Sequence, residues 1–232
     1  MRVEINADDF GLTKGVTDGI IEAHQNGCVT STTIMMNGLA TNYAVEKAAE
    51  NPDLKIGIHL VLTWGKPLHT SVSNLVNPDG TFRFTSNFLD MEVPNLEEVE
   101  LEWRAQLEAC LATGLPLDHI DSHHHVHGWP PLKNLIIKLA QEYEVPVRRV
   151  DSLADHPDIC WTDKLWTGFY KDGVTDDLFD VIQKENVSSI EVMTHPGQVD
   201  ETLRKVSSYT DARENEITIL SRIDVPDWVK LT

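Results

Sequence analysis

Cysteine is scarce in this chain: Cys28, Cys110 and Cys160 are the only three in 232 residues, odd in number and without CxxC spacing. That pattern excludes a disulfide framework and a thiolate metal site, so any metal must be held by nitrogen and oxygen. Basic residues are also few. Lys and Arg total 19 against 37 Asp and Glu, a formal net charge of −18, which leaves no basic stripe for a nucleic-acid backbone or an anionic membrane. No apolar run approaches the roughly 18 residues of a membrane span, and Met1 leads directly into a strand-like segment, so a cytoplasmic protein is expected. Internal repeats, low-complexity tracts and an interdomain linker are lacking too, and residues 1–232 read as one domain. Apolar residues at 41% suffice for a large core.

What the chain does contain is strand and helix in turn. RVEINA (2–7) is β-rich, and a helical stretch follows in which Val16, Ile20 and Ala23 recur at three- and four-residue spacing. VTSTTIMM (29–36) and LKIGIHLVL (54–62) are further strands, with a helix over 39–51 between them. The strongest helix is 94–114. Asn95 and Glu98 have capping-box spacing, Leu96, Val99, Trp103, Leu107 and Cys110 form an apolar stripe, and Gly114 ends it. Strands are expected at 115–121, 145–150 and 188–194, with helices at 130–144 and 175–186. Between strand and helix, residues 65–93 form a long connection rich in Pro, Asn, Asp and Gly, of the kind that is functional or mobile. Such alternation argues for a parallel sheet, and about seven short strands in one domain fit a (β/α) TIM-like barrel, complete or lacking a strand.

Barrel chemistry sits at the C-terminal ends of the strands, and the polar residues obey that rule. Asp8 and Asp9 follow the first strand, His59 lies late in the third, DSHHHVHG (121–128) follows the fourth and His195 follows the last. Four histidines in eight positions, mid-chain where no affinity tag would sit, are the composition of a metal site, although a solvated turn has the same letters. Two imidazoles and a carboxylate with open positions form a common catalytic ligand set, and Asp9, His59 and His123 could supply it. In extended chain Asp121, His123, His125 and His127 would share a face; in a helical turn His123 would pair with His127. His59 alone could equally be a core histidine, and Asp8-Asp9 alone a turn or helix cap.

NADDFGLTKGVTDGIIEA, VTSTTIMMNG, GIHLVLTWGKPL, HIDSHHHVH and EVMTHPG, in this order, resemble the YdjC-like carbohydrate deacetylases, the family containing chitooligosaccharide deacetylase. The similarity runs from the first strand to about residue 200 and is weaker in 65–93 and in the tail. It implies a barrel of the polysaccharide-deacetylase type and metal-dependent removal of an N-acetyl group from a short chitin-derived oligosaccharide, phosphorylated or not. Carried over by position, Asp9, His59 and His123 resemble the metal ligands, Asp8 the general base and His195 the general acid. The family's ion is magnesium (Mg2+), but a two-His, one-Asp set is softer than magnesium prefers, which keeps Zn2+ or another transition metal open.

Amide hydrolysis needs an activated water, a stabilised oxyanion and a proton for the departing amine, and these groups match those tasks. Substrate contacts are expected from Arg148, toward a sugar phosphate unless the Arg-Arg pair is a solvated or ion-paired face, from His127, and from Trp64 and Trp129, which could stack on sugar rings or pack in the core. The partner is then a small-molecule oligosaccharide, and a homo-oligomer is compatible with the sequence. A metal-dependent isomerase or phospho-glycoside hydrolase, or a non-catalytic sugar-binding protein, remains an alternative on the same fold.

Overall fold

The computed structural model describes residues 1–232. β1 (Arg2–Phe10), β2 (Ser31–Ile34), β3 (Lys55–Leu60) and β4 (Leu117–Ser122) alternate with α1 (Lys14–Gln25), α2 (Thr41–Glu50) and α3 (Leu96–Ala112). There follow α4 (Lys133–Tyr143), β5 (Lys164–Trp166), α5 (Leu178–Ile182), β6 (Ser189–Thr194), α6 (Glu201–Val206), α7 (Ala212–Leu220) and β7 (Lys230–Leu231). All pairings between these strands are parallel, in the order β4-β3-β2-β1-β6-β5, with β7 beside the start of β1. No helix is long and apolar enough to cross a membrane.

The sheet is curled, and one side chain proves it. β4 and β6 lie four strand spacings apart, about 19 Å on a flat sheet. Yet Nη2 of Arg148 is 2.8 Å from Asp121 on β4 and 2.6 Å from Glu191 on β6. The ladder does not close continuously: beyond β4 the isolated bridges Ile120 to Val147 and Val147 to Cys160 extend it, and neither pairs with β5. The parallel α/β fold is therefore a curled half-barrel, consistent with a TIM-like barrel.

Strand alternation separates two interiors. Val3, Ile5 and Ala7 of β1 belong to the apolar core of 49 buried residues, whereas Glu4, Asn6 and Asp8 turn to the concave side. There Glu4 meets Lys55, Asn6 meets Thr33, and Asp8 meets Arg148. Barrels of this class usually fill that space with Val, Ile and Leu; here it is a polar column. Gly57 of β3 belongs to it, because a Cβ there would lie 2.6 Å from the His119 ring and 2.7 Å from its carbonyl oxygen. Gly57→Ala should therefore lower stability by about 1–3 kcal/mol, read from the urea midpoint, although alanine normally favours a strand over glycine.

Two expectations are corrected. Residues 145–150 form no strand: Pro146 has no N–H to extend a ladder, and only Val147 pairs before Arg148 turns inward. The three-residue β5, paired with β6 and too short to show a period, was not expected. α6 and α7 fold from the weakly patterned tail, and Leu96 is 43% exposed while Val99, Trp103, Leu107 and Cys110 are buried. The same face of α3 carries buried Glu102, whose carboxylate accepts the backbone N–H groups of Leu68 and His69 at 2.9 and 2.7 Å. With Glu98 accepting from Asn74 N, this ties the start of segment 65–93 to α3.

Candidate active site

Consecutive strand residues point to opposite faces, so Asp8 and Asp9 should diverge. They do not. The β1–β2 register shifts between Ala7 and Phe10, and Asp9 adopts φ 72°, which swings both carboxylates to the C-terminal end of the sheet. His124 and His125 also have positive φ, 56° each. Left-handed backbone costs non-glycine residues energy, and three such residues crowd one end of the sheet.

Asp9 Oδ1 lies 3.4 Å from His59 Nε2 and 3.0 Å from His123 Nδ1. Candidate ligand atoms of these three residues are all within 4.8 Å of one another, so they suit one cation. The donor chemistry supports the fit. Asp121 Oδ1 is 2.6 Å from His59 Nδ1, which orients the ring and leaves Nε2 for the cluster, the usual outer support of a metal-binding histidine. Burial opposes a charge on His59, but Asp121, Asp9 and Asp8 together raise its pKa to about 10. A negative field that holds a proton there is equally suited to a divalent cation. Asp8, His59 and Asp121 form a second such cluster. Both Asp8 oxygens and Asp121 Oδ2 are taken by Arg148, whereas Asp9 keeps Oδ1 clear of arginine, so the first set is the better metal site.

Arg148 is a buried hub. It grips Asp8 bidentately, Nη1 to Oδ2 at 2.7 Å and Nη2 to Oδ1 at 2.6 Å, and also contacts Asp121 and Glu191. Burial alone would raise the Asp8 pKa, yet Arg148, with His59 and His195, holds the carboxyl well below its ordinary range. The guanidinium is fully buried and does not line the cavity, so the expected contact with a sugar phosphate is corrected: its donors are occupied by carboxylates. His127 is also withdrawn, with Nδ1 2.5 Å from Ser122 Oγ and Nε2 3.1 Å from the Arg148 carbonyl oxygen. Trp129 packs on Phe84 and Phe88 beneath the surface. Trp64 does line the cavity, its Nε1 donating to the Val206 carbonyl oxygen.

The cavity encloses about 530 Å³ and contains Asp8, Asp9, His59, His123 and His195 in its walls. His195 Nε2 stands 3.9 Å from Asp8 Oδ2. Burial lowers the His195 pKa to about 4 against the opposing pull of Asp8 and Asp9, so the resting imidazole is neutral. Thr85 and Ser86 of segment 65–93 form one wall, and Tyr170, Tyr209 and Arg213 another. The last three were not found from sequence. Glu191 offered a usable signal, since a carboxylate inside the apolar run SSIEVMT requires a buried partner.

The family model described as YdjC-like protein matches residues 2–231. The chain belongs to the YdjC-like family. A relative named carbohydrate deacetylase from Oceanobacillus iheyensis is 61% identical over 230 residues, covering 99% of this chain and 100% of that protein. A second of the same name, from Halalkalibacterium halodurans, is 42% identical with full coverage of both chains. Among solved structures, an Enterococcus faecalis protein provisionally described as a cellobiose-phosphate cleavage protein superposes with a TM-score of 0.88 at 37% identity, over 95% of this chain and 90% of that one. Coverage of these YdjC-like relatives extends through α6 and α7, beyond the motifs legible in the sequence.

Proposed function

We propose that this YdjC-like protein is a carbohydrate deacetylase that uses one divalent cation to hydrolyse the N-acetyl group of a short chitin-derived oligosaccharide. The observation that carries this reading is the meeting of Asp9, His59 and His123 with Asp8 and His195 in one cavity. When bound, a divalent cation supplies Lewis acidity toward water and the acetyl carbonyl. Asp8, kept ionised by Arg148, accepts the proton of the attacking water at its carboxylate. His195 Nε2, 3.9 Å away, relays that proton to the departing nitrogen. The water oxygen ends on the acetyl carbon and its proton on the amine, so acetate and a free amino sugar leave.

N,N′-Diacetylchitobiose is the preferred test substrate over its 6-phosphate. The cavity wall has no lysine and one arginine, Arg213, and that guanidinium is committed to Asp9. Incubation with the disaccharide and metal should release acetate, reduce the sugar's mass by C₂H₂O and leave the glycosidic linkage whole. The Enterococcus relative's description makes the linkage worth following. Glycosidases place two free carboxyl groups about the bond, whereas Asp8 and Asp9 are each gripped by an arginine. Two monosaccharides as products would favour the hydrolase reading, and a ketose the isomerase reading.

His59→Ala and His123→Ala should each lose stoichiometric zinc or manganese in elemental analysis of the purified protein. Full retention by His59→Ala would overturn the ligand assignment. Wild-type thermal stability should rise on metal addition only by the mass-action term, about 2.7 kcal/mol at a hundredfold excess over Kd, because the fold has its own core.

A further inference from the structure

α7 reaches into the site from outside the strand ends. Arg213, in its first turn, is 2% exposed, and its Nη2 is 2.6 Å from Asp9 Oδ2. The same guanidinium donates through Nε to the Tyr209 carbonyl oxygen at 2.9 Å and through Nη1 to that of His195 at 3.4 Å. One helical turn on, buried Glu216 accepts the His195 backbone N–H and the Tyr209 hydroxyl. Residues three apart share a helix face, so Arg213 and Glu216 act from one surface on both Asp9 and His195.

The two oxygens of Asp9 thus have separate duties. Oδ2 is taken by the guanidinium, and Oδ1 alone faces His59 and His123. We propose that Arg213 is a positioning residue that makes Asp9 a one-oxygen ligand and locks that oxygen to the same helix that holds His195. The consequence is chemical. Restricting Asp9 to one oxygen leaves more of the cation's coordination positions for water and the acetyl group. The positive guanidinium also offsets the Asp9 charge, so a bound cation keeps more of its own charge for polarising them.

This inference rests on the ligand set proposed above, and Co2+ separates the two. Its visible absorption weakens as coordination number rises, and titrating that band gives affinity without turnover. Arg213→Gln and Arg213→Lys should both bind Co2+ about 10–100-fold more weakly than wild type, the usual scale for losing an outer support of a ligand. Arg213→Gln should also show a weaker band per bound ion, as the released carboxylate swings to two-oxygen ligation. In turnover, both variants should lose kcat more than they raise KM. Wild-type affinity and band intensity in Arg213→Lys, with tighter binding in Arg213→Gln, would mean simple charge compensation and overturn positioning. A lowered urea midpoint with unchanged Co2+ affinity of the folded protein would reduce Arg213 to a structural role and overturn it as well. If wild type binds no stoichiometric Co2+, the ligand set fails first and this inference with it.

Discussion

Arg148→Ala should be the most destabilising single change in this protein, costing roughly 3–5 kcal/mol near pH 7.5, the scale for leaving buried charge uncompensated. Three carboxylates, Asp8, Asp121 and Glu191, converge on one guanidinium in the polar column, and none has a second cationic side chain within ion-pair distance apart from histidine. The deficit should depend on pH with a definite sign. In wild type the carboxyls of Asp8 and Asp121 are held below their ordinary range, so their contribution is present above the unfolded-state pKa and lost as pH falls through the folded one. Without Arg148 the folded-state carboxyls rise above their unfolded values and take up protons. Stability is then regained as pH falls toward about 5, and the gap to wild type narrows. Urea midpoints of both proteins at pH 5, 6.5 and 8 check this. A gap that stays constant or widens toward pH 5 would contradict the hub assignment. Arg148→Lys retains the charge without the fork and should fall between the two.

Asp8→Asn should lower kcat by roughly 10²–10⁴ while stoichiometric metal is retained, the range for removal of a general base. The asparagine keeps one oxygen for Arg148 but turns an N–H toward a donor, so some stability is lost as well; the kinetic comparison therefore belongs well below the unfolding transition. The retained metal is the discriminating readout. Asp8 is bonded to Arg148 and Asn6, whereas Asp9 faces the two imidazoles. Loss of metal in Asp8→Asn with retention in Asp9→Asn would show that the two aspartates have exchanged roles. His195→Ala should lose kcat similarly, and less so on acetylated substrates whose leaving group departs without a proton.

Much of the site was legible because its residues follow strands that are themselves legible. Apolar runs such as LKIGIHLVL declare buried parallel strands, and position at a strand's C-terminal end then brings Asp8, Asp9, His59, His123 and His195 to one rim. The Asn95 cap of α3 was readable for a similar local reason, and its side chain does accept from Glu98 N. Arg148 shows where that logic stops. Next to another arginine after a β-like run it reads as a surface cation, but the incomplete barrel leaves a gap through which the side chain turns inward. Its exposure was decided by three carboxylates on three different strands.

Sequence by itself determined the parallel α/β class and the group of acidic and imidazole side chains carried at the strand ends. Those properties depend on residue type and on periods of two and 3.6, which are local. The tertiary structure alone decided that Asp8 and Asp9 face the same way, that Arg148, His127 and Trp129 are withdrawn from the cavity, and that α7 completes the site through Arg213 and Glu216. Each of these depends on a contact between residues far apart in the chain. Electrostatic pairing in a buried space is fixed by which groups the fold brings within about 3 Å, a distance that no local pattern encodes.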